Sequence, residues 1–283
     1  MGQIAQRYPQ QFINRRKRRR AIELIVTLTG TGTSQGVPVL GCDCEVCHST
    51  DVRDKRLRTA ALLSWGDTTV AFDCGPDFRQ QMLAAGTQHL DAIVMTHEHN
   101  DHVVGLDDVR PFNFKQGGEM PVFATEKVQK ELKTRFAYVF AEGDNRYPGA
   151  PMVSLITIDK NTVFSIKGLS FLPVELMHGK LPILGFRVGD FAYLTDVHHI
   201  EAIEMHKLQN LHTLVINALH HTEHYSHLNL NEALDLIQEL KPQHSYLTHM
   251  SHRMGKHAEI NKTLPAGVEL GYDGLRIRVP VPL

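Results

Sequence analysis

Residues 97–102 read HEHNDH, and this stretch says more about the fold and chemistry of the chain than any other. It places four potential ligands, three imidazoles and a carboxylate, directly after the apolar run at residues 91–96, which predicts a buried strand. So many polar side chains at the end of a core strand are costly unless a cation organises them. The first two imidazoles can point one way while the carboxylate and the third imidazole point another. The spacing therefore predicts a site for two adjacent metal ions.

Charge is spread unevenly along the chain, although the formal net charge is only -1. Seven of the 30 Lys and Arg residues lie within residues 1–20, which contain no acid, so acids outnumber bases in the remainder. An acidic body is a poor general binder of nucleic acid. We interpret residues 1–21 as a basic leader, for which disorder is a simpler explanation than contact with nucleic acid or a membrane. No apolar stretch is long enough to span a bilayer, so we expect a cytoplasmic protein.

Strand patterns and helical patterns alternate through residues 22–283, which we treat as one domain because the sequence marks no internal boundary. The predicted strands cover residues 24–29, 60–65, 69–72, 92–96, 122–124, 169–175, 184–188, 191–194, 214–217, 245–248 and 275–279. The predicted helices cover residues 78–85, 126–140, 201–208, 231–240 and 258–264, and Asn residues precede the fourth as candidate caps. This order predicts an α/β fold, a mixed sheet sandwich with outer helices.

Three more ligand-capable residues follow apolar strands in the same way as the first cluster: His178, Asp196 and His249. Each of them alone is more often an ordinary polar residue at the start of a loop. Ligands from several strand ends can, however, converge on one edge of a sheet sandwich. Together with residues 97–102, they predict one shared site.

Three of the four cysteines, Cys42, Cys44 and Cys47, lie within residues 41–47. Such close neighbours make poor disulfide partners for one another, and clustering in a cytosolic protein indicates a metal site. The alternative is a set of reduced surface thiols. Cys74 follows a predicted strand, and we interpret it as a small buried residue.

The ordered set of motifs resembles the metallo-β-lactamase superfamily, whose signature is His-x-His-x-Asp-His followed by a His, an Asp and a last His at later strand ends. The resemblance covers essentially residues 22–283 and implies a four-layer αββα sandwich of two mixed β-sheets flanked by helices. It implies two divalent ions, zinc or manganese, at the active site. The implied ligands are His97, His99 and His178 for one ion and Asp101, His102 and His249 for the other, with Asp196 bridging. Asp73 would orient ligands from behind them.

Further motifs are similar to the PhnP family of phosphoribosyl cyclic phosphodiesterases: residues 27–32, 35–38, 41–47, 247–252 and 271–274. This resemblance implies a separate structural zinc. Its ligands would be Cys42, Cys44, Cys47 and His252, which together make a closed tetrahedral site. The resemblance also places His227 near the reacting phosphate, as a general acid or as a donor to a phosphoryl oxygen. His220, His221 and His224 crowd the same segment, and the sequence leaves open which of the four faces the substrate.

The function that the resemblance implies is hydrolysis of a small phosphodiester, such as a cyclic ribose phosphate, with Asp101, Asp196 and His227 as catalytic residues. Alternatives with the same fold are an RNA 3′-end-processing nuclease and a thioester hydrolase. A non-enzyme alternative is a cofactor-biosynthesis protein that resembles pyrroloquinoline-quinone biosynthesis protein B. We expect a small phosphodiester as partner, no stable nucleic-acid complex and no membrane contact, and a homodimer is one option for the oligomeric state.

Two segments depart from the PhnP pattern. The basic leader has no counterpart in it, and residues 119–151 look longer than expected, with an added helix followed by a loop. Such an insertion could cap the pocket and alter the choice of substrate. The natural substrate is therefore open between cyclic phosphates and other phosphodiesters.

Overall fold

The computed structural model describes residues 23–141, 143 and 147–280, so the basic leader predicted at residues 1–21 lies outside the described residues. The strands are Leu24–Gly30 (β1), Ala60–Trp65 (β2), Thr68–Phe72 (β3), Ala92–Val94 (β4), Met120–Ala124 (β5), Val153–Thr157 (β6), Phe164–Ile166 (β7), Leu169–His178 (β8), Leu181–Val188 (β9), Phe191–Leu194 (β10), Thr213–Asn217 (β11), His244–Thr248 (β12), Val268–Leu270 (β13) and Arg276–Val279 (β14). The α-helices are Phe78–Ala84 (α1), Asn100–Val103 (α2), Arg110–Gln116 (α3), Glu126–Arg135 (α4), Ala202–Met205 (α5), Leu230–Leu240 (α6) and His257–Ile260 (α7). Within the described residues, no helix combines the length and the apolar character needed to cross a membrane.

The strands form two mixed sheets of seven strands each. The first has the order β14-β1-β2-β3-β4-β5-β6, and its strands pair in parallel from β3 to β6. The second has the order β13-β12-β11-β10-β9-β8-β7, and its strands pair in parallel from β10 to β13. The carboxyl ends of parallel strands open into the loops of one sheet edge, which is where ligands bind in α/β folds.

Three large hydrophobic clusters separate four layers. The central cluster lies between the sheets, where Phe72 of β3 stacks on Tyr193 of β10 with ring centroids 4.8 Å apart. A second cluster joins the outer face of the first sheet to α1, α3 and α4, and a third joins the second sheet to α6. The predicted αββα arrangement of two mixed sheets and flanking helices is therefore confirmed.

Several predicted elements were wrong in extent or were missed. Strands β6, β7 and β13 gave no clear pattern, since β7 and β13 have three residues each and β6 is partly exposed at a sheet edge. The helix predicted over residues 126–140 ends at Arg135, because Phe136 leaves the helical conformation and its side chain is buried in the core. The helix predicted over residues 201–208 is present as one α-helical turn, α5, that continues as a 3₁₀ helix over His206–Leu208. The helix predicted over residues 258–264 is the single-turn helix α7.

Helix α6 begins with the asparagine cap that the sequence indicated. The Asn229 side chain accepts a hydrogen bond from the backbone N–H of Glu232, and the Glu232 carboxylate accepts one from the Asn229 N–H. This reciprocal pair satisfies donors that a helix start otherwise leaves free. It fixes where α6 begins, and Ala233 and Ile237 consequently face the core.

We expect Asn229→Ala to lower the free energy of unfolding by about 1 kcal/mol, because a side-chain cap is lost. Chemical denaturation monitored by circular dichroism measures this change. Asn231→Ala, at the exposed second position of the same helix, is the matched control and should have a much smaller effect. Equal destabilisation by both variants would contradict the capping role of Asn229.

Candidate metal centres

Loops at strand ends from both sheets bring the predicted active-site ligands together. Strand β4 leads into residues 97–102, while β8, β10 and β12 lead to His178, Asp196 and His249. The ligand atoms form two adjacent groups, each with its atoms within 4.8 Å of one another. The groups are His97, His99 and His178, and Asp101, His102, Asp196 and His249. They contain the two ligand sets that the family resemblance implies. Asp196, the residue implied to bridge them, lies in the second group and also in a group with His178 and His227.

Backbone conformation marks the same sheet edge. Asp73, Asp196 and His249 have positive φ angles of 64°, 59° and 55°, in the left-handed region that non-glycine residues seldom adopt. Each follows a strand end by one or two residues. Strain of this kind costs about 1–3 kcal/mol per residue and tends to occur at functional sites, where the surroundings hold it in place.

Asp73 supports the ligand loop from behind. Its carboxylate accepts hydrogen bonds from the backbone N–H and the hydroxyl of Thr96, and from His102 Nδ1 at 2.7 Å. Nearby, a Cβ atom on Gly75 would lie 2.0 Å from the carbonyl oxygen of Asp101, so only glycine permits this close approach. The Asp73 side chain thus orients His102, as the sequence predicted for it, and leaves the His102 Nε2 atom to face the centre.

The first group presents lone pairs toward one point. The Thr96 hydroxyl donates to a carboxylate and therefore accepts from His97 Nδ1, at 3.0 Å, while His178 Nδ1 donates to the Ser226 carbonyl at 2.8 Å. Both rings are left with Nε2 as an electron-pair donor. His97 Nε2 lies 3.1 Å from His99 Nδ1. Two nitrogen ligands about 2.0–2.1 Å from a tetrahedral ion would be about 3.3 Å apart, so this spacing suits a shared cation.

The second group surrounds the Asp196 carboxylate. His102 Nε2 lies 3.3 Å from Asp101 Oδ2 and 3.3 Å from Asp196 Oδ2, and His249 Nε2 lies 3.3 Å from Asp196 Oδ1. His102 Nε2 and His249 Nδ1 are buried and have no hydrogen-bond partner within the described part of the chain. Burying a nitrogen without a hydrogen-bond partner costs free energy. A cation bound at His102 Nε2 would give that nitrogen a partner.

The pKa values of the clustered histidines also favour a bound cation. Burial lowers the pKa of His97 well below its usual value and that of His249 to about 3, so both rings are neutral, which is the form that binds metal. Burial also opposes protonation of His102, but the surrounding carboxylates outweigh it and raise the pKa of His102 well above its usual value. The cluster therefore attracts positive charge at its centre. The donor set of imidazoles and carboxylates fits zinc, manganese or iron.

His227 lies at the side of the second group, with Nε2 3.2 Å from Asp196 Oδ1. This position makes His227 a candidate ligand as well as a candidate proton donor. Of the four histidines in its segment, His224 and His227 line the cavity above the ligands, whereas His220 and His221 do not. The sequence left open which of these four histidines faces the substrate, and the structure leaves His224 and His227 as the candidates.

The three clustered cysteines meet a histidine from the other end of the chain. The distances from His252 Nδ1 to the Sγ atoms of Cys42, Cys44 and Cys47 are 3.2, 3.3 and 3.6 Å. Tetrahedral zinc, with Zn–S about 2.3 Å and Zn–N about 2.0–2.1 Å, would separate sulfur and nitrogen by about 3.5 Å. The Cys47 N–H donates to the Cys44 sulfur and lowers the pKa of that thiol to about 6, which favours the thiolate that binds metal, whereas burial raises the pKa of Cys47 to about 11. The fourth cysteine, Cys74, is buried in the core, as predicted.

A cavity of about 510 Å³ lies above the two groups of histidine and aspartate ligands. Its wall includes residues to which the sequence gave no role: Thr33, Ser34, Asn100, Arg135, Leu219 and Tyr225. Arg135 belongs to α4, so the segment at residues 119–151 does reach the pocket, as its unusual length suggested. Thr33 and Ser34 lie in a glycine-rich turn after β1.

Comparisons with known proteins identify the family of this chain and a solved structure with a similar fold. The family model described as "Beta-lactamase superfamily domain" matches residues 68–250. The crystal structure of a diphosphatase from the PhnP family superposes with a TM-score of 0.86 and is 39% identical in sequence, covering 93% of this chain and 99% of that one. The fold of nearly the whole chain therefore has a counterpart in a solved structure.

Two curated relatives have different names. Octanoyltransferase of Porphyromonas gingivalis is 42% identical over 250 residues, which cover 88% of this chain and 50% of that protein. Ribonuclease Z of Geobacillus kaustophilus is 29% identical over 164 residues, which cover 56% of this chain and 47% of that protein. The chain thus spans about half the length of each of these two relatives.

We expect Cys44→Ser to remove one equivalent of bound zinc and to lower the thermal unfolding temperature, because the cysteine centre joins two distant loops. Elemental analysis of purified protein and calorimetry measure the two effects. Cys74→Ala is the control for loss of a cysteine outside the centre and should keep its zinc. Full zinc retention in Cys44→Ser would contradict the assignment.

Proposed function

The chain belongs to the metallo-β-lactamase superfamily and lies close to its PhnP family, and on this premise we propose that it is a metal-dependent hydrolase of small phosphodiesters. One observation carries this proposal. Two groups of ligand atoms lie side by side, with the Asp196 carboxylate between them, beneath an open cavity. A pair of divalent ions in such a site supplies an activated water molecule and neutralises charge on phosphoryl oxygens.

The residues around that pair have distinct roles in the proposed reaction. Asp196 belongs to the second group and also lies within 4.8 Å of a ring nitrogen of His178 in the first, so it is the residue that we assign to bridge two ions. Asp101 is a ligand of the second group that lines the cavity. Water adds to phosphorus, the bond from phosphorus to the leaving oxygen breaks, and a proton must reach that oxygen to release an alcohol. His227 lines the cavity beside Asp196 and is the residue that we assign to donate this proton. The product is a phosphomonoester, formed by ring opening if the substrate is cyclic.

Other substrates remain alternatives within the same site. The PhnP-family structure belongs to a diphosphatase, which makes a diphosphate ester a close variant of this substrate class. Thioester hydrolysis uses a similar ligand set, and an acyl substrate would fit the name of the octanoyltransferase relative, of which the chain covers half. An RNA substrate is disfavoured by the excess of acids outside the leader. A binding protein without catalysis is disfavoured because the whole ligand set is present.

The cellular location and the binding partners that we propose for this activity are those expected from the sequence. We propose a cytoplasmic enzyme that acts on a small molecule and forms no stable complex with nucleic acid or a membrane. The cavity of about 510 Å³ has the size of a small-molecule pocket. Screening cyclic phosphates, linear diesters and octanoyl thioesters with the metal-loaded protein is the experiment that separates the substrate classes.

We expect Asp196→Ala to abolish hydrolysis of bis(p-nitrophenyl) phosphate and to lower the active-site metal content, because the carboxylate shared by both groups is lost. Nitrophenolate release and elemental analysis measure the two effects. Asp67→Ala, which removes a carboxylate from the exposed turn between β2 and β3, is the control. Unchanged turnover in the Asp196 variant would refute the catalytic assignment.

We expect His227→Gln to reduce turnover of a 2′,3′-cyclic nucleotide by roughly 10²–10⁴-fold, as for loss of a general acid, and to affect bis(p-nitrophenyl) phosphate far less. The nitrophenolate leaving group departs without a proton, whereas an alkoxide needs one. Steady-state kinetics with both substrates checks this difference, with His221→Gln as the control. Loss of bound metal in His227→Gln would instead identify His227 as a ligand.

A further inference from the structure

His249 differs from three other histidine ligands in how its ring is held. The Nδ1 atoms of His97, His102 and His178 each have a hydrogen-bond partner. Histidine ligands of metals almost always have such a partner, which fixes the orientation of the ring. The Nδ1 atom of His249 is buried and has no hydrogen-bond partner among the described residues. The position of this ring therefore depends on the backbone that carries it.

Backbone contacts to two distant segments hold the chain on either side of His249. Before it, the carbonyl of Leu247 accepts a hydrogen bond of 2.8 Å from the N–H of Gly271. After it, the N–H of Met250 donates to the carbonyl of Thr31 at 2.9 Å. His249 lies between these contacts with a φ angle of 55°, a conformation that persists only where the surrounding structure enforces it.

Arg56 joins the two segments that make these contacts. Its Nη1 atom donates to the carbonyl of Gly271 at 2.8 Å and to the hydroxyl of Thr31 at 3.0 Å. That hydroxyl donates in turn to the Asp273 carboxylate at 2.8 Å. Arg56 is only 3% exposed, and burial lowers the pKa of its guanidinium to about 10, so the side chain stays charged at neutral pH. Hydrogen bonds from a charged donor are stronger than neutral ones, which makes Arg56 a firm link between the segments.

Stability alone does not account for a buried charge at this position. Apolar side chains of similar volume in place of a buried ion pair are often neutral or stabilising. The segments around Arg56 also approach very closely, because a Cβ atom on Gly271 would lie 2.8 Å from the carbonyl oxygen of Leu247. They include residues 27–32, 247–252 and 271–274, three of the motifs that are similar to the PhnP family. The geometry of these motifs is therefore directed at the backbone of His249.

We propose that Arg56 is a positioning residue, which fixes the backbone on both sides of His249 and thereby sets how tightly the second ligand group holds its ion. Loss of the guanidinium would release Thr31 and Gly271 from each other and leave the His249 ring free to move away from Asp196. The effect on turnover rests on the hydrolase function proposed above, whereas the effect on metal binding does not.

Retention of Co²⁺ by the metal-loaded protein tests this proposal. Arg56→Met removes the guanidinium, and Thr31→Val removes the hydroxyl that links it to Asp273 while keeping the size of the side chain. In both variants, one active-site equivalent of Co²⁺ should be lost at a chelator concentration roughly tenfold lower than in the wild type, at the lower end of the range for groups behind metal ligands. Dialysis against a chelator series, followed by elemental analysis, measures this loss. Thr31→Ser keeps the hydroxyl and should retain Co²⁺ as the wild type does.

Absorption spectra and a control variant separate this role from a general loss of structure. Co²⁺ bound to thiolates absorbs strongly in the near ultraviolet, so an unchanged band shows that the cysteine centre stays loaded. Thr213→Val removes another buried hydroxyl, which lies 2.8 Å from a ring nitrogen of His212 at the start of β11, and should retain Co²⁺ as the wild type does. Equal loss of Co²⁺ from Thr31→Val and Thr213→Val, or wild-type retention in Thr31→Val, would overturn the assignment. The Thr31 variants decide the question even if Arg56→Met does not fold.

Turnover distinguishes this proposal from the hydrolase function. If the wild type hydrolyses bis(p-nitrophenyl) phosphate, Thr31→Val should be slower at limiting metal, and excess metal should restore most of its rate. A wild type that hydrolyses no phosphodiester, while the variants show the expected differences in Co²⁺ retention, would refute the hydrolase function and leave the role of Arg56 in place.

Discussion

The charge of the buried Asp196 carboxylate is the constraint around which the site is organised. This carboxylate lies 3.2–3.3 Å from nitrogens of His102, His227 and His249, which come from loops of both sheets. An uncompensated charge in such a place costs several kcal/mol, and the contacts with these rings offset it only in part. Cations bound at this position would balance the carboxylate and would supply the chemistry of the proposed reaction. The same interaction would then stabilise the junction between the sheets and activate the site.

The cysteine centre connects loops beside the cavity and not the ligand groups beneath it. It joins the loop of Cys44 to His252, which lies three residues after His249. Asp273 adds a second link between an early and a late segment of the chain, because its carboxylate accepts a hydrogen bond of 2.6 Å from the backbone N–H of Leu57. Between these two links lies the turn that carries Thr33, whose hydroxyl is 3.3 Å from His249 Nε2. Metal at the cysteine centre would thus hold a ligand of the active site in place from a distance.

Ligand sets of this kind are shared by hydrolases with very different substrates, so selectivity depends on residues above the ligands. In this chain the relevant side chains come from elements outside the metal-binding motifs: Arg135 from α4, and His224, Tyr225 and His227 from the loop after β11. Tyr225 is 82% exposed, which leaves it accessible to a bound molecule. In the proposed hydrolase, substrate choice would depend on these side chains rather than on the metal ligands.

The sequence by itself indicated the α/β class and the ligand-capable residues at the strand ends, because ligands placed directly after apolar strands are a local pattern. The division of these ligands into two groups and the pairing of the cysteines with His252 were implied by the family resemblance. The sequence also located the cap of α6, since Asn229 acts through neighbours close in the chain. Strand β6 and the true end of α4 at Arg135 depended on packing between distant segments, which propensity does not report. The place of Arg135 in the cavity wall was decided by the tertiary structure alone. A helix pattern shows which residues share a face, but the residues that this face meets depend on how the layers assemble.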